Sequence, residues 1–381
     1  MFRRFPNALR CSLALVFALW SAACPGRPPA SAPPVTAAAS VAALELAPEQ
    51  PLRAGRWSEA DARRVFPIEA GYFVFDEWRG FKRRPSTSRS YVFGEHHAGG
   101  FSARTNALAM REDAEPSATP PGLRVLVTGD SHTDGACDNA ESFANRAEAL
   151  LAARRPDRSC EVLNAGCGSY SFYNYLGVLE SCARLEPDVF VVCVYGGNDW
   201  GEALAPWHHH HGTQRPESGG DYDQRLSEAL AVHDGWGRQA VSQSHNQYLY
   251  FQRQPEQLEL GLRAGVSVCE ELRRRCVQAR IRLIVAYLPP MVDVQRSRLL
   301  PHIDEVDRRL GLDASTLAST DALADRFLAW CEDAQIETLD LRPILRTAAE
   351  EPLYWRTDLH LAVEGHERVA RALVERLDAA R

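Results

Sequence analysis

The sequence predicts an α/β fold in three layers, α/β/α, built on a central parallel sheet of about five strands. An N-terminal extension and a lid-like insertion are added to that frame. Two observations predict the fold. From Leu123 onward, short apolar runs alternate with amphipathic helical patterns, as they do where crossover helices join parallel strands. The runs are also apolar without alternation and rich in β-branched residues, which marks strands covered on both faces. With 45% hydrophobic and 24% charged residues in 381, the chain can bury a sizeable core. A net charge of −7 gives no reason to expect nucleic acid or an anionic membrane surface as partner.

Taken in order, residues 1–23 read as a signal peptide. Arg3, Arg4 and Arg10 form a basic region, an apolar stretch runs from Cys11 to Trp20, and Ser21-Ala22-Ala23 offers small residues for cleavage. The apolar stretch is far short of the roughly 20 residues of a membrane-spanning helix. Export to the periplasm, the envelope or the medium is expected. Cys24, directly after the small residues, is placed as a lipidated cysteine would be, and such a lipid would anchor the chain to a membrane. Ordinary cleavage explains the small residues equally well. Residues 24–55 form a Pro/Ala-rich linker without hydrophobic periodicity.

Residues 56–120 are expected to form an extension of short strands packed on the main domain, with the basic cluster Arg79, Lys82, Arg83 and Arg84 as a solvated face. The main domain, 121–381, holds expected strands at 123–128, 161–164, 188–195, 281–287 and 336–339. Expected helices lie at 142–153, 172–185, 257–279, 320–334 and 363–380, the last with Val369, Leu373 and Leu377 at helical spacing. An insertion at about 200–255 breaks the rhythm and reads as a weakly structured lid. Its four consecutive histidines, His208 to His211, are expected at a solvated loop tip, and no metal or cofactor is assigned. Of the ten cysteines, eight follow Cys24. In an exported chain some of these are candidates for pairing, but no Cys-x-x-Cys spacing points to zinc or redox chemistry.

Three stretches carry chemistry. Ser131 follows the first strand of the main domain by a Gly-Asp turn, at the carboxyl edge where open α/β sheets bind ligands. Taken alone, Ser131 serves equally well as a helix cap or as a nucleophile. Asp358 and His360, just before the last helix, supply an imidazole base and a carboxylate to orient it. Asn198 follows the third strand in Tyr195-Gly-Gly-Asn-Asp-Trp200, where its amide can donate to a developing oxyanion. Asn164-Ala-Gly-Cys-Gly-Ser-Tyr170 follows the second strand and can add backbone N–H groups.

Together and in this order, the blocks resemble the SGNH hydrolases, or GDSL-like esterases: Gly129-Asp-Ser-His-Thr133, Gly196-Gly-Asn-Asp199, and Asp358 before His360. The resemblance runs from about Leu123 to the C-terminus, the insertion excepted, and implies a flavodoxin-like sheet. It implies Ser131 as nucleophile, His360 as base and Asp358 as its orienting partner. The implied oxyanion hole comprises the Ser131 N–H, the Gly168-Ser169 loop and Asn198. The segment from Phe101 to Arg111 also resembles an Asn-x-x-Gly-x-Arg lead-in of one bacterial branch, with Ala109 where the Gly stands. Two departures stand out. Asp358 lies two residues before His360, where many members have three, a closer spacing found in a branch acting on polysaccharide acyl groups. Ser169 stands where the second-block Gly is usual. Asp130, beside Ser131, is expected to hold loop N–H groups rather than to join the triad.

The implied function is a serine esterase removing an acyl group from a glycan, small molecule or other envelope substrate. An O-acyltransferase would use the same acyl-enzyme with a sugar hydroxyl as acceptor. A non-catalytic glycan-binding protein would keep the fold, but has no need of Ser, Asn, Asp and His together.

Overall fold

The computed structural model describes residues 46–119 and 121–379. The expected signal peptide, Cys24 and most of the linker lie outside these residues. Nine strands are present among the described residues. β1 (Phe73–Asp76) and β2 (Gly80–Arg83) form one antiparallel hairpin, and β3 (Ser88–Val92) and β4 (Gly100–Arg104) another. The main sheet comprises β5 (Leu123–Gly129), β6 (Cys160–Asn164), β7 (Val189–Tyr195), β8 (Arg282–Leu288) and β9 (Glu337–Asp340). These lie within one residue of the expected strands.

All pairings in the main sheet are parallel, in the order β6-β5-β7-β8-β9. That is the flavodoxin-like order, and its reversal between β5 and β7 opens a crevice at their carboxyl ends. β5 and β7 are buried along their full length; β7 is apolar throughout, and β5 is apolar apart from Thr128 and Arg124, whose Nε donates to Glu161 at 2.6 Å. Two cores sandwich the sheet. One packs Leu126, Phe190 and Val192 against helices Phe172–Cys182, Pro255–Ala279 and Ser319–Asp333, around Trp200 and Phe327. The other packs Val125, Val127 and Val191 against helices Phe143–Arg154 and Val363–Asp378. Among the described residues no helix is long and apolar enough to cross a membrane.

Four expectations need correction. The insertion is helical, with elements at Leu204–His211, Tyr222–Leu230, Trp236–Ala240 and Asn246–Arg253 and a π-helical turn at Val241–His245. Such short helices carry little periodicity and form through tertiary packing. The four histidines are the last turns of one of them, not a loop tip. His208 bonds Thr213 and Gln257, His209 and His210 stack on Trp57, and His211 stacks on Trp207 and pairs with Glu49. The basic cluster is not a solvated face either, Arg84 alone of the four being exposed. Arg79 is buried with Nε 2.7 Å from Ser181 Oγ, Arg83 pairs with the buried Asp134, and Lys82 pairs with Asp76 at 3.1 Å. Finally, all eight described cysteines are free, and all but Cys160 are buried. They serve as small apolar side chains in the core.

Candidate active site

The first block turns where β5 ends. A Cβ on Gly129 would overlap Thr133 Oγ1 and approach the Cys193 carbonyl at 2.8 Å, so only glycine lets the chain turn here. Asp130 caps the short helix Ser131–Asp134 by accepting the His132 N–H at 2.9 Å. This holds Ser131 Oγ 2.8 Å from His360 Nε2. Burial pushes the Asp130 carboxyl up to about 6, against the His132 N–H and the His360 ring.

Asp358 Oδ1 meets His360 Nδ1, so Nδ1 carries the proton and Nε2 presents its lone pair to Ser131. The close Asp-x-His spacing works because Leu359, between them, adopts φ +67°. A left-handed leucine costs about 1 kcal/mol. It is held there by burial and by its N–H donating to the Trp355 carbonyl at 2.9 Å. Glu95, in the loop between β3 and β4, accepts the Arg356 and Thr357 N–H groups at 2.7 Å each and the Thr357 hydroxyl. The extension thus clamps the loop bearing Asp358 and His360. Burial resists protonation of His360, but Asp358 outweighs it, with Asp130 and Asp134 assisting, and its pKa is raised above 6.5. Burial likewise opposes ionisation of Asp358, but His360 prevails and lowers its pKa.

The second block lies over the serine. A Cβ on Gly168 would sit 3.8 Å from Ser131 Cβ, and Ser169 adopts φ +62°, the conformation glycine takes without strain. The loop therefore keeps a glycine-like shape with a serine in place. Cys167 N–H donates to Gly129 O and Tyr170 N–H to Cys167 O, at 3.1 Å each, while among the described residues the Gly168 and Ser169 N–H groups meet no backbone acceptor.

After β7, Asp199 accepts the Tyr195 N–H at 2.8 Å and the Tyr175 hydroxyl at 2.7 Å, which fixes the turn carrying Asn198. Burial, then Asp130, raises the Asp199 pKa well above the carboxylate range. The buried Asn198 Oδ1 has no hydrogen-bond partner among the described residues. Ser169 and Asn198 line a cavity of about 170 Å³ with Ser171, Glu202, Ser242 and Asn246. Phe66 and Pro67 of the extension close one side of it. Burial pushes Glu202 up to about 8, with Asp130 adding and Arg215 opposing.

Two neighbours of the site come from outside its sequence blocks or were not singled out within them. His132 stacks on Tyr195 at 4.0 Å between centroids and lies 4.7 Å from the His360 ring. Gln243, on the π-helical turn, reaches both His132 and His360. Nothing local in the sequence marks Gln243; only tertiary packing brings it in. Arg111 of the lead-in is fully buried and bonds Asn139 Oδ1, Gly135 O and Cys137 O at 2.8–3.1 Å, bracing the chain that follows the serine. Ala109 there has φ +66°, again a glycine-like position. Among the described residues, His96, His97 and Glu141 have ligand atoms within 4.8 Å of one another. Both His96 nitrogens are already engaged, by Glu141 at 2.9 Å and by the Ala98 N–H at 3.2 Å, so this group is satisfied without an ion.

The sequence profile of the GDSL-like Lipase/Acylhydrolase family matches residues 127–368, more than half of the chain. Similar solved structures include an alpha/beta hydrolase from the metagenome of Lake Arreo, Spain (15% identity, TM-score 0.41, 68% of this chain and 95% of that one). Another is a catalytic mutant of an acetylxylan esterase from Geobacillus stearothermophilus (14%, 0.42, 69% and 97%). A third is the acetyl xylan esterase AlAXEase (14%, 0.37, 67% and 100%). No curated protein matches the chain.

Proposed function

The chain belongs to the GDSL-like Lipase/Acylhydrolase family and is an ester-bond hydrolase of the esterase type, and on that footing we propose that Ser131, His360 and Asp358 are its catalytic triad. The observation that carries this reading is Ser131 Oγ at 2.8 Å from the unprotonated nitrogen of an imidazole whose other nitrogen faces Asp358. His360 takes the serine proton as Oγ attacks the ester carbonyl. The oxyanion is held by the Ser131 N–H, the Gly168-Ser169 loop and the Asn198 amide. His360 then returns the proton to the departing alcohol. Water, activated by the same imidazole, hydrolyses the acyl-enzyme.

The substrate is an acylated glycan or another hydroxyl-rich envelope molecule. The cavity beside Asn198 supports this in part: Ser169, Ser171, Glu202, Ser242 and Asn246 offer partners to hydroxyl groups, while Val65, Phe66, Pro67, Ala205 and Val241 add an apolar wall that suits the acyl group or a sugar face. Purified protein should turn over p-nitrophenyl acetate, and Ser131→Ala should lower that rate by at least ~10³-fold. Equal rates would reject the nucleophile. An envelope location fits the pattern of residues 1–24. If Cys24 carries a lipid, Cys24→Ser moves the protein from the membrane fraction to the soluble one, and an unchanged distribution rejects the anchor.

A further inference from the structure

Resting on the triad reading above, we propose that Gln243 is a further catalytic residue, donating a hydrogen bond to the leaving-group oxygen in acylation and to the attacking water in deacylation. His360 Nε2 has one lone pair, yet two donors point at it: the Ser131 hydroxyl at 2.8 Å and the Gln243 amide nitrogen at 3.4 Å. Asp358 holds the ring's proton on Nδ1, so Nε2 is the acceptor for both. The serine has the better bond and the amide is left over.

The amide cannot turn round. Gln243 Oε1 lies 3.0 Å from His132 Nε2, and His132 Nδ1 accepts the Leu361 N–H at 3.3 Å. His132 Nε2 therefore carries a proton and donates it to Gln243 Oε1, and a flipped amide would set two donors against each other. The backbone is fixed as well. The π-helical turn presses the Gln243 carbonyl onto Gly197, where any Cβ would overlap it. π-helical turns of this kind are enriched at functional sites. The result is a preorganised N–H donor beside the catalytic imidazole, with 5% of the residue exposed.

The reaction gives that donor its acceptor. Once Nε2 has taken the serine proton, it no longer accepts from Gln243. When the tetrahedral intermediate collapses, the carbon–oxygen bond to the alcohol breaks and its electron pair stays on the alcohol oxygen. That oxygen takes the proton from Nε2, so it must lie within hydrogen-bond reach of Nε2, where the Gln243 N–H already is. In deacylation a water occupies the same place and passes its proton to Nε2, under the same N–H.

The test is the dependence of kcat/KM on the leaving group. Nitrophenolate leaves without help, whereas ethanol needs its oxygen stabilised. Gln243→Leu should lower kcat/KM about 3-fold on p-nitrophenyl acetate and about 30-fold or more on ethyl acetate, steepening the dependence on alcohol acidity. Gln243→Glu keeps the acceptor for His132 and the shape while removing the donor. It should show the same selectivity on its pH plateau even if Gln243→Leu folds poorly. Equal losses on both esters, a larger loss on the nitrophenyl ester, or no loss would overturn the role. The triad reading fails separately, if Ser131→Ala retains activity on both esters.

Discussion

Glu95 joins the N-terminal extension to the loop bearing Asp358 and His360, and its removal should cost activity through that loop. Its two carboxylate oxygens accept the Arg356 and Thr357 N–H groups at 2.7 Å and the Thr357 hydroxyl, immediately before Asp358. Glu95 is exposed, so each bond deserves only the low end of the usual range, about 0.5 kcal/mol, or about 1.5 kcal/mol for the set. That corresponds to about tenfold in the equilibrium constant between the ordered and open loop, and to as much in the ordered population once the open form prevails without Glu95. Leu359, buried and bonded to Trp355, keeps the loop from melting outright. Glu95→Ala should therefore lower kcat/KM on p-nitrophenyl acetate about 10-fold, with Tm down by a few degrees. Glu95→Gln, which keeps the shape and one good acceptor, should fall between. A kcat/KM within twofold of wild type for Glu95→Ala would refute the clamp, whatever happens to Tm.

Two further outcomes follow from the site. Asn198→Ala should lower kcat about 10²–10³-fold with little change in KM, because its amide is needed only once negative charge develops on the carbonyl oxygen; steady-state kinetics on p-nitrophenyl acetate decide it. The acid limb of kcat/KM should lie above 6.5, because Asp358 raises the His360 pKa despite burial and the base works only when neutral. Activity is thus lost as pH falls through that raised value. Asp358→Asn should move the limb down, and a wild-type limb at or below 6.5 in a pH–rate profile would contradict the electrostatics.

The parallel sheet was legible because β5 and β7 are buried on both faces, and such strands are predominantly apolar. The turns that carry Ser131 and Asn198 at the sheet edge were legible because their glycine neighbours are constrained, and the loop of Asp358 and His360 because the pair stands just before the last helix. Gly129, Gly196 and Gly197 stand where a Cβ would collide. The insertion was not legible. Its helices, each nine residues or fewer, carry weak periodicity, and the histidines look solvated until Trp57, Gln257 and Glu49 are brought to them from distant segments. The buried arginines misled for the same reason. Arg79 and Arg83 are charged in sequence but reach Ser181 and Asp134 only in the fold. Gln243 and Glu95 act on His360 and its loop across 117 and 261 residues of chain, and no local pattern encodes such contacts.

The central claim is that Ser131 is a nucleophile activated by His360, and covalent capture tests it most directly. Protein incubated with an alkyl fluorophosphonate and digested for mass spectrometry should carry one phosphonyl group per chain, on the peptide containing Ser131. Labelling should be abolished in Ser131→Ala and strongly slowed in His360→Ala. Absence of label, or label on another residue that persists in Ser131→Ala, would contradict the account.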